Sequence, residues 1–87
     1  MYDVVLHPRA ARDLAKLEAV VREQIRKRLR GLKDSPRAGE RLTGVRFLRL
    51  RIGDYRAIYE VWEQDRKVVE LFIGHRRKVY DDFSNLL

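Results

Sequence analysis

The sequence predicts an α+β fold of order β-α-α-β-β-β: a helical hairpin packed on one face of a mainly antiparallel four-stranded sheet, followed by a short C-terminal tail or helix. Three observations lead there. Apolar residues between positions 8 and 33 recur at helical spacing, the pattern switches to period two at Val45, and a run of turn formers separates the two regimes. The 87 residues fit a single domain, 1–87, since two cores would each be too small to hold.

Tyr2 to Leu6 reads as the first strand, β-branched at Val4 and Val5 and stopped by His7-Pro8. Pro8 suits the first turn of a helix, where its missing N–H costs nothing. Ala10, Ala11, Leu14 and Leu17 mark the apolar face of one helix. Val21, Ile25, Leu29 and Leu32 mark that of a second over 20–33, opposite Arg22, Glu23, Arg26, Lys27 and Arg30. Asp34 to Gly44, rich in turn formers, reads as a loop. From Val45 onward Phe47, Arg49 and Arg51 alternate with Leu48, Leu50 and Ile52. Burying the aliphatic set under the helices sends Arg49 and Arg51 to the open sheet face together. Gly53-Asp54 turns the chain into a strand over 55–62, with Tyr55, Ala57, Tyr59 and Val61 on one face and Arg56, Ile58, Glu60 and Trp62 on the other. Glu63 to Arg66 turns it again into a strand over 67–73, ended by Gly74. In the tail, Val79, Tyr80, Phe83, Leu86 and Leu87 have a weak helical spacing, expected to order against a partner.

Lys and Arg number 20 against 13 Asp and Glu, a formal charge of +7, and 15 of the cations are arginine, whose planar fork matches phosphate. No apolar run approaches the ~20 residues that cross a bilayer, and the amino terminus lacks the basic start and long apolar stretch of a signal peptide. A soluble, cytoplasmic protein with no membrane partner is expected. Without cysteine there is no disulfide, thiolate nucleophile or Cys-based zinc site, and two histidines as distant as His7 and His75 give no reason to expect a metal. No cofactor is expected.

The run Leu48-Arg49-Leu50-Arg51-Ile52-Gly53-Asp54-Tyr55-Arg56-Ala57-Ile58-Tyr59-Glu60-Val61, with Ile73-Gly74-His75-Arg76-Arg77-Lys78-Val79-Tyr80 after it, resembles the RelE branch of the RelE/ParE toxin superfamily. Ser35-Pro36 and the element order extend the likeness over nearly the whole chain. The resemblance implies the toxin of a type II toxin–antitoxin system: a ribosome-dependent endoribonuclease that cuts mRNA in the ribosomal A site. It also implies a RelB-like antitoxin and contact with small-subunit ribosomal RNA. By the same resemblance Arg49, Arg56, Arg76 and Tyr80 match functional positions, and Arg51 matches an additional strand cation. One departure stands out: the best-studied branch has a lysine two residues before the position of Arg49, where this chain has Phe47.

Cleavage by this route requires the 2′-hydroxyl to attack phosphorus while the 5′-oxygen leaves, giving a 2′,3′-cyclic phosphate and a 5′-hydroxyl. Arginines stabilise the charged phosphorane but do not act as bases near neutrality. The proton transfers therefore fall to His75 or Tyr80, with Arg76 at the leaving oxygen, and these three roles are open to permutation. Arg46, Arg51, Arg77, Lys78 and Phe47 are candidates for holding RNA, and Arg22, Arg26, Lys27 and Arg30 for resting on ribosomal RNA. Two other functions fit the same scaffold: a ParE-like, non-enzymatic inhibitor of DNA gyrase, and a decayed toxin that binds RNA without cutting it.

Overall fold

The computed structural model describes residues 1–84, the side chain of Asp82 excepted; Leu86 and Leu87 of the expected tail lie outside the described residues. The chain runs β1 (Asp3–Leu6), α1 (Pro8–Ala15), α2 (Ala19–Arg30), a 3₁₀ turn (Gly31–Lys33), β2 (Glu40–Arg41), β3 (Leu48–Ile52), β4 (Tyr55–Trp62), β5 (Lys67–His75) and α3 (Val79–Ser84). Pro8 opens α1, and the His7 imidazole Nδ1 accepts the Arg9 N–H at 3.1 Å, covering one of the donors a helix leaves unpaired at its start.

The strands lie in the order β1-β5-β4-β3-β2, with β1 parallel to β5 and every other neighbour antiparallel. The sheet thus has five strands, not the four expected. Glu40 and Arg41, assigned to the loop, pair with Arg49 and Leu48. A two-residue strand is too short for a period-two signal. What permits it is Gly39: a Cβ there would lie 2.6 Å from the Arg49 carbonyl oxygen and 2.8 Å from the Tyr59 hydroxyl. Its N–H donates to that hydroxyl at 3.0 Å.

Burial follows the alternation. Leu48, Leu50, Ile52, Ala57, Tyr59, Val68 and Ile73 pack under Ala10, Leu14, Ile25, Leu29 and Leu32 of the hairpin and its 3₁₀ extension. Val68 and Ile73 share a face although five residues apart because the register shifts between Ile58 and Tyr59: Ile58 pairs with Phe72 but Tyr59 with Glu70, leaving Leu71 as the extra residue of a bulge. Glu70 is thereby held on the helix side, fully buried, with neither carboxyl oxygen hydrogen-bonded among the described residues. Burial pushes its pKa up to about 8.

The other sheet face is covered in part and open over the rest. Val79 and Phe83 of α3 pack on Phe47, Ile58 and Phe72, forming a second core, with the Phe47 and Phe83 rings edge-to-face at 5.2 Å. α3 orders against the sheet of its own chain because this apolar patch gives Val79 and Phe83 a surface to cover.

Candidate active site

Two turns bring the cations together. Gly53 begins the two-residue β3–β4 connection at a φ of +59°, a left-handed value suited to primed hairpin turns with glycine first. The resulting register sets Arg51 directly opposite Arg56. Across β4, Arg56 pairs with Gly74 and Tyr55 with His75, so the end of β5 lies beside the same turn, and the Arg76 N–H donates to the Asp54 carbonyl at 2.8 Å. From the far side α3 contributes Tyr80. Arg49, Arg51, Arg56, Arg76 and Tyr80 line one cavity of about 300 Å³, room for one nucleotide linkage.

Each cation is held differently. Arg56 is only 7% exposed, and its Nη1 donates to the carbonyls of Gly53 and Tyr55, both at 2.7 Å, so the turn fixes the guanidinium without neutralising it. Arg49 Nη1 donates to the Tyr80 hydroxyl oxygen at 3.0 Å and Nη2 to Glu40 at 2.6 Å. Those bonds, Tyr80's foremost, hold Arg49 still more firmly protonated. Arg76 lies 3.6 Å from Asp54, a looser pair on the rim. Arg51 is exposed and has no ion pair among the described residues. Like charges directly opposite on a sheet repel, so the Arg51–Arg56 pair is a local cost that an anion would relieve.

The remaining candidates lie elsewhere. His75 is not brought to the arginines: its ring meets Tyr55 edge-on at 5.7 Å, beside the hairpin core, and Nδ1 accepts the Arg77 N–H at 3.2 Å. Two residues beyond Ile73 in the same strand, it follows Ile73 to the helix side. Phe47, expected to hold RNA, is instead buried in the second core. Arg46 is paired with Glu60 at 2.7 Å. Arg77 and Lys78 are exposed in the turn after β5. On the helices Arg22 donates to the Leu17 carbonyl and Arg26 pairs with Glu23, while Lys27 and Arg30 stand exposed. Sequence reasoning missed Glu40, the carboxylate on Arg49, because only the β2–β3 register makes them neighbours.

The site is thus an arginine-lined cleft on the sheet face away from the hairpin of a small α+β domain. Residues 4–80 match the family described as ParE toxin of type II toxin-antitoxin system, parDE, and the chain belongs to that family, within the RelE/ParE superfamily. It is similar to a chain of the intact E. coli RelBE toxin–antitoxin complex, at 31% identity over 86% of this chain and 96% of that one, TM-score 0.75. It is likewise similar to a chain of the RelBE2 complex of Mycobacterium tuberculosis, at 28% identity over 85% and 96%, TM-score 0.79. The isolated E. coli RelE toxin matches over the full length of both chains at 28% identity, TM-score 0.78. No curated protein sequence matches the chain. No helix among the described residues is long and apolar enough to cross a membrane.

Proposed function

We propose that this type II toxin is a ribosome-dependent endoribonuclease that cleaves mRNA in the ribosomal A site. One observation carries the reading: four guanidinium groups and a phenol line one cleft that only two carboxylates, Glu40 and Asp54, reach among the described residues. Such a cleft suits a phosphodiester. Arg51 and Arg56 face the non-bridging oxygens and stabilise the charge that grows on them as the 2′-oxygen attacks. Arg76, on the rim, serves the leaving 5′-oxygen. Proton transfer falls to Tyr80, the cleft-lining group other than a guanidinium, whose oxygen Arg49 steadies. RNA positioned by the ribosome adds the orientation that the free chain lacks.

A RelB-like antitoxin is the proposed partner, since similar chains occur in RelB–RelE complexes. Arg22, Arg26, Lys27 and Arg30 are the helix cations proposed to meet ribosomal RNA phosphates, Lys27 and Arg30 foremost because Arg22 and Arg26 are bonded within the chain, and the contact weakens with salt.

The family's description as a ParE toxin favours one other reading, inhibition of DNA gyrase without catalysis. Purified ribosomes carrying a defined message separate the two. Codon-aligned 3′ ends are expected, with Arg51→Ala cutting about a hundredfold more slowly. An intact message, together with gyrase-dependent breakage of plasmid DNA, would overturn the nuclease reading.

A further inference from the structure

Arg49 enters the cleft with two of its five N–H donors taken. Nη1 is on Tyr80, Nη2 is on Glu40, and Nε is buried without a partner among the described residues. A phosphodiester approaching the outward edge of this fork therefore competes with Glu40 for Nη2. The carboxylate itself resembles what it excludes: two oxygens sharing one negative charge across a short span, the pattern that a guanidinium grips in phosphate. The fold sets it there deliberately. Gly39 lets β2 approach β3, and the register then puts Glu40 directly opposite Arg49. Arg51 and Arg56 add their pull, and with Arg49's bond foremost they hold the Glu40 carboxyl below the usual carboxylate range. Its side chain is 58% exposed, so it can swing into solvent without disturbing the core.

Resting on the reading of the cleft as an RNA site, we propose that Glu40 is an internal stand-in for the scissile phosphate, occupying Arg49 in the free chain and displaced when RNA enters. Glu40 is then a positioning residue. It keeps Arg49 aligned with Tyr80 while the cleft is empty, and it sets a threshold that stray RNA must overcome before reaching Arg49. RNA presented by the ribosome brings additional binding energy and crosses that threshold.

The test reads binding rather than cleavage. A fluorescein-labelled hexanucleotide with 2′-O-methyl sugars, which cannot be cut, is titrated with the full chain and followed by anisotropy. Glu40→Gln, and Glu40→Asp with its shorter reach, are expected to tighten binding about three- to tenfold at low salt. Their affinity should also fall more steeply as salt rises. Asp65→Asn, which removes an exposed negative charge from the β4–β5 turn, controls for net charge and is expected to leave affinity unchanged. If both Glu40 variants bind no tighter than the parent while Arg51→Ala weakens binding, the stand-in role is overturned and the cleft remains an RNA site. If Arg51→Ala has no effect either, the reading of the cleft fails and takes this inference with it.

Discussion

At the scale of single residues, the candidate site is a matter of which way a side chain leaves its strand. Arg49 and Arg51 were legible because three aliphatic neighbours had to face the core, and Arg56 followed from the alternation of its own strand. His75 obeys the same rule and is carried away from the arginines by Ile73, two residues earlier. The sharpest test is therefore a comparison of two proton-transfer candidates. Tyr80→Phe removes only the hydroxyl that meets Arg49 and is expected to slow ribosome-dependent cleavage about a hundredfold or more. His75→Ala, measured beside it, is expected to cost much less; an equal loss would transfer the role to the imidazole. Nothing in the residue pattern announced Glu40, since a lone acid in a stretch rich in turn formers is ordinarily solvated.

Among the elements, the two that the sequence described least well are β2 and α3. β2 is too short to show a period and α3 shows only a weak one, and each is held by contacts with residues distant in the chain. The strand meander and helical hairpin were legible because their apolar stripes repeat over several turns or alternations. For β2 the decisive residue is Gly39. Gly39→Ala drives a methyl group against the Arg49 backbone and the Tyr59 hydroxyl, so β2 must shift away from β3. The expected result is a loss of about 1–3 kcal/mol in denaturant unfolding, the range for overpacking a filled site. Arg49 should lose its carboxylate in the same step. The same methyl group at Gly31, where nothing lies within 4 Å, should be harmless to packing.

Across the whole molecule, stability has an acidic bias that composition conceals. Glu70 titrates at about 8 when folded but near the ordinary 4.5 when the chain is unfolded. Below the lower value both states hold the proton and Glu70 has no influence. As pH rises from there toward 8, the unfolded chain releases a proton that the folded one retains, which favours unfolding by up to about 1.4 kcal/mol per pH unit. Above 8 the penalty levels off. Glu40 and Glu63 act in the opposite sense, their carboxyls held low by Arg49 and Tyr2 respectively, but their contribution is lost only in more acid solution. Between pH 5 and 9, urea midpoints are expected to decline for the parent chain and to stay level for Glu70→Gln. The bulge that aims Glu70 inward has no sequence signal, because it arises from the register between β4 and β5. The parallel β1–β5 pair has a kinetic consequence as well. β1 and its partner β5 lie some sixty residues apart in the chain, so closing this pair costs more loop entropy than forming the hairpin or the meander. The amides of Val4 to Leu6 should accordingly be among the last to gain protection from hydrogen exchange during refolding.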